Sequence, residues 1–313
     1  LGGICWGILG DKKGRLKVLF GSIMMYSLAN LANAAVQDIY TYSVLRFIAG
    51  IGLAGELGAG ITLVSEILPK NQRGYGTTIV ATVGVFGALF ASAVSELLGW
   101  RGAFVVGGLA GLALLVLRIR VTESGLFDHI HSKSHVKRGD LKMLFTDSGR
   151  FSRYLRCILI GCPVWYALGI FMQLAPEFGK QAGLVDAAGK SLVVTPKAVF
   201  YAYTGLIIGD LFSGVLSQYL KSRRKSLYVF LSLTTLSCAF FLYRLHTFTS
   251  PDELYALLLP IGIGAGYWAV FITTASEQFG TNLRATVTTS VPNFVRGAAV
   301  PMIWAFQALI PLL

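Results

Sequence analysis

A chain of 313 residues with only 13% charged residues and a mean hydropathy of +0.65 lacks the polar surface that a water-soluble globule of this length needs. Its net charge of +12 would suit a nucleic-acid partner if the cations formed one face, but Lys and Arg concentrate in alternate loops between apolar runs, which is the positive-inside pattern of a membrane protein. Cys5, Cys157, Cys162 and Cys238 all fall in apolar runs without metal-ligand spacing to histidine, so neither a disulfide framework nor a metal site is expected, and no signal peptide is expected at the start.

The charges are segregated enough to mark the spans. Between Arg73 and Glu96 lie 22 uncharged residues, between Arg156 and Glu177 lie 20, and between Glu253 and Glu277 lie 23. Each run crosses about 30 Å of hydrocarbon as a helix, whereas apolar runs of roughly 10–14 residues would mark buried helices of a soluble core. In chain order, spans are predicted over 1–10, 18–36, 41–65, 75–96, 101–118, 156–176, 198–219, 227–244, 254–276 and 286–312. The first covers only about 15 Å, so the chain is expected to begin inside a helix.

The loops that hold Lys12, Lys13, Arg15, Lys17, Lys70, Arg73, Lys221, Arg223, Arg224, Lys225 and Arg284 are assigned to the cytoplasmic side, together with the stretch from Arg118 to Arg153. Gln37, Asp38, Glu96 and Arg101 then lie outside. Residues 123–153 read as a cytoplasmic linker between two bundles, 1–122 and 154–313, with an amphipathic piece near Leu141–Phe145 suited to the membrane surface. Lys180 to Lys197 is expected to be an outer loop.

The two bundles are copies of one unit. Gly55 recurs as Gly266, Thr62 as Thr273, Ser65 as Ser276, Glu66 as Glu277, Arg73 as Arg284 and Thr77-Thr78 as Thr288-Thr289, all at an offset of 211. The basic loop recurs at an offset of 207, with Gly7 matched by Gly214 and Asp11 by Gln218. Both copies put their basic loops on the same side, so they are parallel repeats about an axis along the membrane normal, as expected for two halves that rock about a central site.

Several motifs resemble the major facilitator superfamily. Gly7-x-x-x-Asp11-Lys12-x-Gly14-Arg15 resembles the signature loop after that family's second helix, and Arg46-x-x-x-Gly50-x-Gly52 the pattern of its fourth. Glu66-Ile-Leu-Pro69-x-x-x-Arg73-Gly74 resembles the following loop. Trp100-Arg101 and Glu123-Ser124 resemble the entry and exit of the sixth helix. The resemblance implies an all-α, polytopic fold of two helix bundles with twelve helices, of which this chain supplies the second to the eleventh. Gly55-Glu56 with Glu66 and the Pro69/Arg73 loop is most similar to the metabolite–proton symporters of sugars, organic acids and osmolytes.

On that resemblance, the basic loop implies a latch that closes the cytoplasmic side. Gly7 lets two helices approach. Asp11 is placed to meet the N-terminus of a helix from the other half, or a nearby Arg. Gly14 permits the tight turn, and Arg15 can bridge carboxylates. Glu66 with Arg73, and Glu277 with Arg284, are expected to pair at helix ends and join the same network. The plain alternatives are topology-setting charge and a surface salt bridge without a gating role.

The charges inside the apolar runs are Arg46, Glu56, Asp210 and Arg296. Each costs at least about 2.5–3.5 kcal/mol at a bilayer centre, so each should face a cavity or a partner. Glu56 and Asp210 are candidate proton carriers, because burial raises a carboxyl pKa. Arg46 and Arg296 suit a carboxylate partner or an anionic substrate. Arg46 lies early in its span, where a structural role is an equal reading. Glu56 is matched by Tyr267 in the repeat and Arg296 by Val85. Those asymmetries mark residues with a specific purpose. Tyr267-Trp268 and Trp165-Tyr166 can furnish aromatic walls, or simply pack. The glycine run Gly50 to Gly60 follows no strand and is read as helix packing, not as a phosphate cradle. No ATP-binding motif, cofactor site or catalytic constellation is found.

The expected function is secondary active transport, with no enzymatic activity: a small polar or anionic metabolite, coupled to protons and carried by rocker-switch alternating access. The setting is the lipid bilayer of a cell membrane, the bacterial inner membrane, by a monomer with no nucleic-acid partner. Export of drugs or amphiphiles, and a non-transporting sensor or truncated family member, are the alternatives.

Overall fold

The computed structural model describes residues 1–117, 139 and 141–309. Among the described residues the regular structure is helical apart from one isolated bridge, Val185 to Ser191. The helices are α1 (Gly2–Lys13), α2 (Arg15–Ala34), α3 (Ile39–Ile67), α4 (Lys70–Leu117), α5 (Ser148–Ala167), α6 (Ala175–Gln181), α7 (Thr195–Tyr219), α8 (Arg223–Arg244), α9 (Pro251–Ala265), α10 (Trp268–Glu277) and α11 (Arg284–Leu309). Six stretches among them are long and apolar enough to cross a membrane, as expected of a multi-pass protein. Large apolar side chains such as Phe47, Leu53, Phe86, Phe90, Phe240 and Trp304 remain exposed, a surface that suits hydrocarbon and not water.

Local chemistry sets the boundaries. Gly14, at φ 106°, makes the turn between α1 and α2 in a conformation that a side chain would disfavour. Asp38 caps α3 by accepting Thr41 N–H at 2.8 Å, and Ser222 and Ser250 cap α8 and α9. At 48 residues, α4 would run about 72 Å, more than twice the hydrocarbon thickness. It breaks at Gly99, φ 69°, into the two spans expected over 75–96 and 101–118. Its second arm runs back along α2. Arg101 Nη2 donates to Val36 O at 2.7 Å, and Gly108 and Gly111 lie against Leu31 and Ser27 further along.

Two predicted spans differ from uniform helices. The span over 156–176 contains Pro163, which removes one backbone donor, and α5 then relaxes into a π turn, Leu168–Met172. The span over 254–276 is two helices. α9 ends at Ala265, Gly266 and Tyr267 leave the helical path, and α10 starts at Trp268. The linker expected over 123–153 lies outside the described residues through 138, as do Glu123-Ser124 and His129, His131 and His135. At its far end, Leu141–Leu144 forms one 3-10 turn.

The chain forms two compact units. One gathers Leu1–Val80, Phe90–Cys157 and Ile272–Asn293, and the other Ala81–Leu89, Ile158–Phe271 and Phe294–Leu313. In the first, Val18, Leu19, Ala59 and Leu63 form a core with Trp6, Leu9 and Leu16 against it. The second is filled by rings, with Phe171 stacked on Phe178 at 5.6 Å and both meeting Phe241 edge to face at 5.2 and 5.3 Å. In that unit α7 and α9 meet backbone to backbone. A Cβ on Gly209 or Gly262 would strike the facing carbonyl of Ile263 or Ala202. Gly262→Val is therefore expected to cost about 1–3 kcal/mol by overpacking. Gly60→Ala, with nothing within 4 Å of the added carbon, should leave stability unchanged or raised. Thermal unfolding of the two variants checks this contrast.

Candidate functional site

Two constellations carry the charged and aromatic residues singled out above. The first lies in the first unit, at the basic-loop ends of the helices. Asp11, past the apolar run of α1, is 1% exposed and sits on the N-terminus of α11. Its Oδ1 accepts Ala285 N–H at 3.0 Å. Its Oδ2 accepts Thr286 N–H at 2.8 Å and the Thr286 hydroxyl at 2.6 Å. These are orphan donors of the first turn of α11, which a carboxylate satisfies while opposing the positive helix end. Gly7 permits the approach, since a Cβ there would fall 2.7 Å from Thr286 Cα. Gly58 does the same against Thr289, and Thr62 bonds Thr288.

Beside this cap, Glu66 ties three segments together. Arg15, 0% exposed, donates from Nη2 to Glu66 Oε1 at 2.8 Å and to Thr281 O at 3.0 Å, and from Nη1 to Gly10 O at 2.9 Å. Arg284 Nη1 stands 3.5 Å from the same Glu66 oxygen, and its Nε donates to Ser276 O. Glu66 therefore pairs across the repeats with Arg284, where the sequence placed it with Arg73. Arg73 is half-buried and makes no ion pair among the described residues, and Glu277 is exposed. The family-like loop thus becomes one buried network of Asp11, Arg15, Glu66 and Arg284. The sequence did not single out Thr286, though it stands two residues past the repeated arginine.

Arg46 and Glu56 also belong to the first unit. Arg46 is exposed, lies 5.5 Å over Phe104, and with it lines a cavity of about 730 Å³, bordered also by Tyr42, Trp100, Arg101 and Asp38. The Thr41 N–H holds the Asp38 carboxyl below its ordinary value. Glu56 is half-buried in α3.

The second constellation lies in the second unit. Arg296, half-buried in α11, has its guanidinium 5.8 Å from the Trp165 ring and 5.4 Å from the Trp268 ring. The two indoles meet edge to face at 6.1 Å. No carboxylate pairs with Arg296 among the described residues. The nearby polar groups are the Tyr203 phenol and the Trp165 indole N–H, which finds no acceptor among those residues. Tyr267, fully buried, donates its hydroxyl to Ile160 O at 2.9 Å, so it braces the site and does not face it, while Tyr166 is exposed. Asp210, 0% exposed, accepts Ala269 N–H at 3.1 Å, the residue after Trp268. Tyr203 was not singled out by sequence, although it lies seven residues before Asp210 and so on the same face of α7.

The sequence profile of the Major Facilitator Superfamily matches residues 1–300. The chain belongs to the major facilitator superfamily. It is 28% identical over 320 residues to the niacin transporter NiaP of Acinetobacter baylyi, covering 91% of this chain and 70% of that protein. It is 26% identical over 318 residues to the cis,cis-muconate transport protein of the same organism, covering 96% and 73%. In fold it is similar to the fucose:proton symporter FucP of E. coli, with a TM-score of 0.72 at 15% identity over 98% of this chain and 81% of that one. The proton:xylose symporter XylE gives 0.65 at 16% identity, over 98% and 76%. These relatives are transporters and not enzymes, and the superfamily fold makes this a multi-pass membrane protein that moves organic solutes.

Glu66→Gln should lower stability by about 3 kcal/mol or more, because two buried guanidinium groups lose their shared carboxylate. Glu177→Gln, at an exposed site, should change it by no more than about 0.5 kcal/mol. Parallel thermal melts of the purified variants measure the difference.

Proposed function

We propose that this superfamily member takes up a small organic anion with a planar conjugated body, coupled to protons, and that Arg296 receives its carboxylate. The observation that carries the reading is a guanidinium lying over two indole rings with no carboxylate of the protein against it among the described residues. A cation so placed is stabilised by the ring quadrupoles, yet keeps its fork of donors for a bidentate oxyanion. The Trp165 indole N–H adds a donor, and the Trp268 face adds a surface on which a flat acid can stack. The niacin and muconate transporters among its relatives agree with such a substrate. So does a gentisate transporter 23% identical over 302 residues.

Access follows from the repeat. The Asp11 cap on α11 and the Arg15–Glu66–Arg284 cluster join segments of both repeats at the basic-loop end, and they act as the cytoplasmic gate. Opening on that side breaks charge-assisted hydrogen bonds from Asp11 and Glu66, and closing remakes them. Such an exchange suits two bundles, 1–122 and 154–313, rocking about a fixed site. The proton carriers are the carboxyls within the spans, Asp210 and Glu56. The protein works as a monomer in the bacterial inner membrane.

Drug export, the other transport reading, needs no cation in the site and is disfavoured by Arg296. Uptake of radiolabelled nicotinate by proteoliposomes of the full-length protein tests the choice. Arg296→Ala should reduce uptake at least tenfold, about 1.4 kcal/mol or more, and a protonophore should abolish accumulation. Undiminished uptake by Arg296→Ala would refute the anion site, and uptake indifferent to the protonophore would refute the coupling.

A further inference from the structure

A carboxylate from α7 reaches the break between α9 and α10. Where Gly266 and Tyr267 leave the helical path, the first N–H groups of α10 have no preceding turn to bond to. Asp210, reaching across from α7, takes that place. Its Oδ1 accepts Ala269 N–H at 3.1 Å, one residue into α10 from Trp268. The approach requires glycine on both sides, since a Cβ on Gly266 would lie 2.6 Å from Asp210 N and 2.5 Å from Gly209 C. The residue fixed by this cap is Trp268, whose ring covers Arg296 at 5.4 Å. Asp210 thus stands one hydrogen bond from the anion site without touching it.

The environment of Asp210 is unusual for a carboxylate. The residue is fully buried, and its Oδ2 has no hydrogen-bond partner among the described residues. No cation pairs with it among them either. On the helices packed against it, the charged groups stand at the ends: Lys197 on α7, Arg223 to Lys225 and Arg244 on α8, Asp252 and Glu253 on α9, and Glu277 at the far end of α10. The ionisable groups within these spans are phenols and a thiol, chiefly Tyr203, Tyr267 and Cys238. Arg296 stands over the Trp268 ring at 5.4 Å and makes no ion pair with Asp210. The backbone N–H groups and positive end of α10 are then the main support for a charge on Asp210, and Oδ2 is the atom open to a proton.

We propose that Asp210 is a proton-operated clamp on α10. Ionised, it holds the N-terminus of α10 and keeps Trp268 over Arg296. With a proton on Oδ2, it holds α10 only through a neutral carbonyl, a hydrogen bond roughly half as strong, and Trp268 can leave the guanidinium to a substrate carboxylate. Proton binding at Asp210 and anion binding at Arg296 therefore favour each other, which is the coupling that symport requires. Asp210 is a positioning residue. Its action on substrate rests on the reading of Arg296 as the anion site, while its action on Trp268 does not.

Two readouts on the full-length protein in nanodiscs separate these claims. One is tryptophan emission between about pH 8 and about pH 5, and the other is benzoate affinity over the same range. The wild type should show an emission change that Trp268→Phe removes and Asp210→Asn, which keeps the shape and one acceptor, also removes. Benzoate affinity should rise as pH falls, by up to about tenfold per pH unit for one coupled proton, and should become independent of pH in Asp210→Asn. An emission change that persists in Trp268→Phe, or no change in the wild type, overturns the clamp, and neither result depends on Asp210→Asn folding. Equal pH dependence of the wild type and a folded Asp210→Asn also overturns it. An Asp210-dependent emission change without benzoate binding at any pH supports the clamp and counts against Arg296 as the site of an aromatic anion.

Discussion

Buried helix starts leave backbone N–H groups that must find acceptors, and two of those among the described residues take a carboxylate from a different helix. Asp11 of α1 serves the first turn of α11, and Asp210 of α7 serves the first turn of α10. Both contacts are buried and both depend on glycine at the point of approach, Gly7 in one case and Gly209 with Gly266 in the other. The two sites differ in what surrounds the charge. Asp11 has Arg15 at 3.5 Å and a threonine hydroxyl, whereas Asp210 has neither a cation nor a second donor on Oδ2 among the described residues. One carboxylate is enclosed by donors and a cation, and the other leaves one oxygen open.

Charge is handled by the same logic elsewhere. Glu66 lies between Arg15 and Arg284, so one anion holds two cations from opposite repeats. Pairing within each repeat would have left the repeats electrostatically independent. The exchange of Arg73 for Arg284 makes the cluster a connection between them, and it is why its disruption is expected to cost more than a surface ion pair. Arg296, by contrast, is stabilised by two indole faces, which supply attraction without consuming its hydrogen-bond donors. A carboxylate partner would have occupied them.

Much of the fold was legible in the chain because hydrocarbon imposes a length. Runs of 20 to 23 uncharged residues became helices, and Gly14 and Gly99 sit at the turns. The break at Gly266 and Tyr267 was not legible, since no charge interrupts the apolar run there and its one proline, Pro260, stands six residues earlier inside α9. It forms because α7 and α9 meet at glycines and because Asp210 offers an acceptor at that level, and these are facts about a neighbouring helix. Tyr203 escaped notice for a similar reason, being an ordinary aromatic in an apolar run until α11 brings Arg296 beside it.

The resemblance to the superfamily's loop motifs is what singled out Asp11, Arg15, Glu66 and Arg284; the sequence by itself determined that this is an all-helical membrane protein built from a repeated unit, and it marked Arg46, Glu56, Asp210 and Arg296 as charges within the spans that need a cavity or a partner. Composition and periodicity suffice for that, because the cost of a charge in lipid is paid locally. Only the tertiary structure decided which partners they take: Asp11 with the α11 N-terminus, Glu66 with Arg284 and not Arg73, Asp210 with the broken helix, Arg296 with two indoles. Partner choice depends on which helix faces reach contact distance, and that is fixed by small residues and crossing geometry between segments far apart in the chain.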